Sequence, residues 1–152
     1  MVKVGIIGDD AGRMAGAVKT ANPQFDVNCV KNLENPQKYD IMIINDPSPM
    51  RRVAGDCEIS ADITLIGAED ASSLRGMAGA GRVITYGMSG KSCITASSIS
   101  DNGMMLCVQR AIPTISGELI QPQELFADFN SAIGQTHEQL GAAACGLVGN
   151  LR

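Results

Sequence analysis

The chain has 152 residues, the length of one domain, and can bury about two-thirds of the surface that its unfolded form exposes. Aromatic residues make up 3% and the formal net charge is −4, which disfavours base-stacking platforms and partnership with nucleic acid or an anionic membrane. Five widely spaced cysteines, an odd number, predict reduced thiols. With no secretory signal and no apolar run long enough to cross a membrane, the expected location is the cytoplasm.

Apolar strands alternate with helical stretches through the first half of the chain. A compact apolar run at 2–8 leads through a glycine turn to a helix with one apolar face at 11–21. Further strands are predicted at 25–30, 39–45, 61–67 and 82–86, with short helices at 50–55 and from Asp70 to about Ala78. Such alternation predicts a parallel sheet covered on both faces, as in Rossmann-like folds.

The pattern changes after Gly87. Runs of strand formers flank Asp101-Asn102-Gly103, a turn signal that predicts an antiparallel hairpin. Another strand is predicted at 115–120, a helical stretch from Gln123, and a last helix from Gln135 or Thr136 to about Gly149. The whole predicts a single three-layer α/β domain over 1–152. Its mainly parallel Rossmann-like sheet carries a small antiparallel extension, from about 92 to 121, and a C-terminal helix.

The turn that follows the first strand is a candidate cofactor site. It resembles a dinucleotide fingerprint, but Ile6 and Ala11 stand where two of the three glycines should be. Its two carboxylates would repel a phosphate. We favour a structural turn and keep a nucleotide- or NAD(P)-binding enzyme as the alternative, with these candidate residues: Gly8, Asp9, Asp10 and Gly12.

Four aspartates follow predicted strands, at the carboxyl edge where doubly wound sheets bind ligands. Such side chains can bind a polar ligand or Mg²⁺, or they can cap helices and turns. We favour capping and predict no metal site. The four are Asp9, Asp10, Asp46 and Asp70.

Three polar residues further along the chain are weaker candidates. Lys91 follows a glycine as in a phosphate-binding loop, but Thr85 stands where that motif needs its first glycine, so a surface lysine is favoured. Arg110 can bind a carboxylate or phosphate, or point into solvent. His137 is the only histidine, and no nucleophile motif accompanies it, so capping or packing is favoured over catalysis.

Two segments resemble the central domain of the Mur ligases. The strand Val83-Ile84-Thr85-Tyr86-Gly87 is similar to the VITYG-type strand of that family. The segment Gly134-Gln135-Thr136-His137, followed by Ala142-Ala143-Ala144, is similar to its Gly-x-His-Asn helix. Weaker similarities lie at 39–46 and 92–97, so the resemblance spans 39–149. It implies the scaffold of a nucleotide-using ligase.

The same resemblance also shows what this chain lacks. No Gly-Thr-x-Gly-Lys-Thr loop precedes the strand that ends near Asn45, and Glu138 and Gly141 stand where the family has the asparagines beside adenine. Without that loop the γ-phosphate has no electrostatic support. The expectation is a non-catalytic domain that binds a small ligand or a partner protein, as a homodimer through the hairpin region. An accessory subunit of an ATP-dependent ligase is a further alternative.

Overall fold

The computed structural model describes residues 1–9, 12–33, 37–51, 58–75, 77, 79–128 and 136–149. Helices α1, α2 and α3 span Arg13–Ala21, Ser48–Arg51 and Thr136–Gly149, and a 3₁₀ helix spans Ala68–Leu74. The strands, in chain order, are β1 (Lys3–Ile7), β2 (Asp26–Cys29), β3 (Lys38–Ile44), β4 (Ser60–Gly67), β5 (Arg82–Tyr86), β6 (Ile94–Ser100), β7 (Gly103–Val108), β8 (Ile112–Pro113), β9 (Leu119–Ile120) and β10 (Gln123–Asp128).

One sheet contains most of these strands, in the order β10-β7-β6-β5-β4-β3-β1-β2. Strands β1 to β6 run parallel to one another, and β7 and β10 add an antiparallel edge beside β6. The predicted α/β class, with its mainly parallel sheet, antiparallel extension and C-terminal helix, is confirmed. Because β2 lies on one side of β1 and β3 on the other, the carboxyl ends of β1 and β3 form a topological switch point, where such sheets bind ligands.

The central strands β1, β3 and β4 are buried on both faces of the sheet. Alternate residues of β3 point to opposite sides: Ile41 and Ile43 pack in the core that contains α1 and α3, and Met42 and Ile44 pack in the core on the other face. This burial on both sides explains why residues 41–44 form an unbroken apolar run, without the alternation of a half-exposed strand.

Small residues let α3 approach the sheet and α1 closely. A Cβ atom at Gly141 would lie 2.8 Å from Cε of Met14 and 3.4 Å from the ring of Tyr86. The neighbouring Ala142 and Ala144 are also buried. This close packing fixes the first turn of α3 beside the carboxyl end of β5.

The helix predicted from Gln123 is wrong, because residues Gln123–Asp128 form β10. The segment pairs antiparallel with β7, from Gln123 opposite Val108 to Asp128 opposite Gly103. Its Gln, Glu, Leu and Ala favour helices intrinsically, but that preference amounts to only about a few tenths of a kcal/mol per residue. Tertiary contacts routinely outweigh a preference of this size. The open edge of β7 provides a full ladder of hydrogen bonds. The antiparallel extension therefore reaches Asp128.

Other differences from the predicted elements are small. The helix predicted from Asp70 is the 3₁₀ helix that begins at Ala68 and ends at Leu74. Of the strand predicted at 115–120, only Leu119–Ile120 is extended, and it pairs with β8 in a separate two-stranded sheet. The short helix predicted at 50–55 is α2, and residues 52–55 lie outside the described part of the chain.

The predicted hairpin turn lies at Asp101 and Asn102, between β6 and β7. Ile99 on β6 and Phe126 on the edge strand β10 are exposed. The homodimer expected through this region stays a prediction, which sedimentation equilibrium would test. In the described residues, no helix is long and apolar enough to cross a membrane.

Candidate functional site

A cleft of about 390 Å³ opens at the carboxyl edge of the parallel sheet. Residues that follow β3, β4 and β5 form its floor and two walls, and the first turns of α3 close the remaining side. Its lining residues are Asn45, residues 67–70, residues 86–89, Ser92, Thr136, His137 and Leu140. We call it the edge cleft, and its volume falls in the range of small-molecule sites.

Asn45 forms the floor of the edge cleft, directly after β3. Its Nδ2 donates a hydrogen bond to the carbonyl of Gly8, 3.1 Å away. Its Oδ1 is buried and has no hydrogen-bond partner in the described part of the chain. A buried acceptor in this state is uncommon, since most buried polar atoms in proteins are paired.

Ser92 has a second unpaired polar atom in the same cleft. The residue is fully buried, and its Oγ has no partner among the described residues. The main chain around it is firmly held: its N–H donates to the carbonyl of Ser89 at 3.0 Å, and its carbonyl accepts from Nε2 of Gln109 at 2.7 Å. A Cβ atom at Gly87 would lie 3.4 Å from this hydroxyl, so the glycine keeps the wall beside it open.

Tyr86 and His137 form the aromatic part of the wall. Their rings are stacked, with centroids 6.4 Å apart and planes inclined by 28°. Burial raises the pKa of the Tyr86 hydroxyl, and the negative charge of Asp70 raises it further. His137 is exposed at the first turn of α3, as predicted for a residue at a helix N-terminus.

The charged residues of the edge cleft are acidic. Glu69 is exposed and Asp70 is half-buried, and neither side chain forms a hydrogen bond or an ion pair with another described residue. None of the described residues that line the cleft is a lysine or an arginine. Asp70 does not cap the 3₁₀ helix as predicted, because Gly67 occupies the N-cap and Asp70 lies inside the first turn.

In the turn between β1 and α1, the side chain of Asp9 occupies the place at the start of α1 where an anion would bind. The two carboxylate oxygens of Asp9 accept hydrogen bonds from the N–H groups of Met14 and Ala15, at 3.0 and 2.8 Å. These are the donors that a phosphate would use at a helix N-terminus. The geometry is that of the structural turn favoured from the sequence. Asp10 lies outside the described residues.

Both glycines of this turn have left-handed backbone conformations. Gly8 has φ +80°, and a Cβ atom there would lie 2.3 Å from the carbonyl oxygen of Asp46. Gly12 has φ +70° and is the N-cap of α1, with open space around it. Gly8 is therefore required by the close approach of the chain after β3, and Gly12 by backbone conformation alone.

Asp46 follows Asn45 but has a local structural role. Its Oδ1 accepts hydrogen bonds from the N–H and the hydroxyl of Ser48, at 2.9 and 2.7 Å, at the start of α2. This is the capping role favoured from the sequence. In the described part of the chain, no three His, Cys, Asp or Glu side chains are grouped so that they could hold a metal ion.

Lys91 and Arg110 are exposed and do not line the edge cleft. Of the predicted candidates that the structure describes, the cleft brings together only Asp70 and His137. It adds Asn45, Glu69 and Ser92, which the sequence did not single out as site residues. Asn45 and Glu69 come just after strands, and this position in the sequence could have identified them as candidates. Ser92 had none.

Comparisons with protein-family models, with curated proteins and with solved structures found no match. Function is therefore inferred from the edge cleft and from the motifs.

Proposed function

We propose that this protein is a non-catalytic, Mur-ligase-like domain that binds a small molecule in the edge cleft. The observation that carries the proposal is the pair of unpartnered polar atoms, Asn45 Oδ1 and Ser92 Oγ, in one cleft. Leaving a buried polar group unpaired costs about 1–3 kcal/mol. A bound molecule that pairs with both atoms recovers that cost.

The position of the cleft supports the resemblance to Mur ligases. Its walls come from the two segments that carry this resemblance, the strand that ends in Tyr86-Gly87 and the helix that begins at Thr136-His137. In the described residues these segments are in direct contact through the stacked rings of Tyr86 and His137.

The chemistry of the cleft supports binding without catalysis. Phosphoryl transfer needs cationic groups around the transferred phosphate, and the described lining residues include neither lysine nor arginine. The amide donors at the start of α1 are already bonded to Asp9. His137 has no hydrogen bond to a described serine or cysteine that would act as a nucleophile.

A thermal-shift screen of the purified protein, followed by calorimetric titration, tests the proposal. A ligand that binds only the folded state raises the melting temperature in a concentration-dependent way. The panel should include nucleotides and cell-wall precursors. Binding should weaken in Ser92→Ala and remain unchanged in Ser98→Ala, which alters an exposed serine on β6. ATP hydrolysis by the pure protein, or ligands that bind only outside the edge cleft, would refute the proposal.

A further inference from the structure

We infer that the edge cleft is selective for a small organic cation that carries N–H donors, such as a primary amine, an amidine or a guanidine. This inference rests on the proposed function and specifies the chemical class of its ligand.

The unsatisfied polar groups of the cleft are mainly acceptors. Asn45 Oδ1 can only accept, because the Nδ2 of the same amide is bonded to Gly8. The ionised carboxylates of Glu69 and Asp70 likewise have no donor and can only accept hydrogen bonds. The hydroxyl of Ser92 can serve in either direction. A ligand that satisfies this set must bring several N–H or O–H donors.

The charge of the site favours a cation. Glu69 and Asp70 lie in the first turn of the 3₁₀ helix, on the wall formed after β4, and the described lining residues offer no Lys or Arg to neutralise them. The N-terminus of α3 brings positive partial charge, but the carboxylate of Glu138 in its first turn opposes it. Glu138 itself is paired with Arg13, at 3.3 Å.

The surroundings of Tyr86 are consistent with a negative potential. Beyond the effect of burial, the charge of Asp70 raises the pKa of this tyrosine, and Cys145 and Glu138 contribute smaller increases. Among the described lining residues, a phosphorylated ligand would meet two carboxylates and no lysine or arginine.

A bare metal ion fits the site less well than an organic cation. The described residues include no group of three potential ligands of the His, Cys, Asp or Glu type. The volume of about 390 Å³ leaves room for a molecule with an organic body. The body would lie along Tyr86, Met88 and Leu140, with its donors toward Asn45 and Asp70.

The test is a fragment screen in which charge is the variable. Matched sets, for example benzylamine, benzyl alcohol and benzyl phosphate, are titrated at pH 8 into ¹⁵N-labelled protein, and shifts of the amides of Gly87, Ser92 and Thr136 report binding in the cleft. We expect the cations to bind at least about tenfold more tightly than their neutral matches, a difference of roughly 1.4 kcal/mol. Their affinity should decrease as salt is added.

Charge-removing variants complete the test. Glu69→Gln and Asp70→Asn should each reduce the affinity for the cations several-fold, while Glu124→Gln, an exposed residue on β10, should not. Because Glu69 is exposed, its variant keeps the test valid even if Asp70→Asn fails to fold. If neutral or anionic fragments bind in the cleft as tightly as the cations do, the inference is overturned and the proposed function still stands. Failure of every class to shift the cleft amides would overturn both.

Discussion

The side chain of Asn45 donates a hydrogen bond to the carbonyl of Gly8, across the carboxyl ends of β3 and β1. This bond of 3.1 Å orients the amide so that its Oδ1 belongs to the floor of the edge cleft. The glycine turn thus contributes to the cleft without lining it. A change in the turn should therefore alter the edge cleft.

Asn45→Ala should raise the free energy of unfolding by about 1 kcal/mol. It leaves the Gly8 carbonyl without this donor, which costs about 1 kcal/mol, but it also removes the buried Oδ1 that has no partner among the described residues, whose burial costs about 1–3 kcal/mol. The matched control is Asn28→Ala, which removes an exposed amide bonded to Asp26 at 3.2 Å and should change stability by less than about 0.5 kcal/mol. Urea denaturation measures both. Equal effects of the two variants would contradict the role given to Asn45.

Gly8→Ala should destabilise the protein by about 3 kcal/mol or more, since it combines a left-handed φ with a clash against the carbonyl of Asp46. Gly12→Ala has a similar φ but open space around it, so about 1–2 kcal/mol is expected. The difference between the two melting temperatures isolates the steric contribution. Equal losses would mean that the chain after β3 does not approach Gly8 closely.

Ser92→Ala should stabilise the ligand-free protein by about 1 kcal/mol, because it removes a buried hydroxyl that has no partner. The same substitution should weaken ligand binding, as expected when stability is sacrificed for function. Ser98→Ala, on the exposed part of β6, should change stability by less than about 0.5 kcal/mol. A loss of stability in Ser92→Ala would show that its hydroxyl is paired.

Asp9→Asn should make Cys29 react faster with a thiol reagent at pH 8. The Cys29 sulfur lies 3.9 Å from Oδ2 of Asp9, and its pKa is raised first by partial burial and then by the charge of that carboxylate. Removing the charge lowers the pKa and increases the thiolate fraction, which is the reactive form. Cys29→Ser identifies the kinetic phase that belongs to this residue. An unchanged rate of that phase would contradict the predicted coupling.

Stability should decrease in alkali partly because of Tyr86. Burial and the charge of Asp70 raise the pKa of its hydroxyl in the folded protein, while the unfolded chain loses this proton near pH 10. The full stability is therefore present below about pH 10 and is lost as pH rises toward the folded-state pKa. Tyr86→Phe should show a shallower decrease, by up to about 1.4 kcal/mol per pH unit. Denaturant titrations at pH 9 to 11.5 measure the difference; identical slopes would contradict it.

The strands that the sequence predicted best are those buried on both faces. In β3 and β4 four consecutive residues are buried, at 41–44 and 63–66, and the observed bounds, Lys38–Ile44 and Ser60–Gly67, lie within a residue of the predicted ones. β10 was mistaken for a helix because its Gln, Glu, Leu and Ala carry a helical preference and because its pairing partner β7 is distant in the sequence. The order of polar and apolar residues within a segment does not predict pairing with a strand elsewhere in the chain.

The edge cleft was predictable in position but not in detail. Parallel strands gather their carboxyl ends at one edge, so residues after β3 and β4 were expected there. Nothing in the sequence near Ser92 indicates that its hydroxyl lacks a hydrogen-bond partner among the described residues. This lack depends on a loop held by Gln109 from beyond β7 and on the absence of a side chain at Gly87. These are tertiary facts.

Asp9 makes the start of α1 its own anion site, and this limits which molecules the domain can recruit. The carboxylate of Asp9, four positions before the first residue of α1, competes with dissolved phosphate at the effective concentration of a tethered group, which reaches about a millimolar or more for short linkers. A nucleotide would have to displace it and also neutralise its charge. Exchange of this one aspartate for a small uncharged residue is the shortest mutational route by which the scaffold could acquire affinity for phosphate.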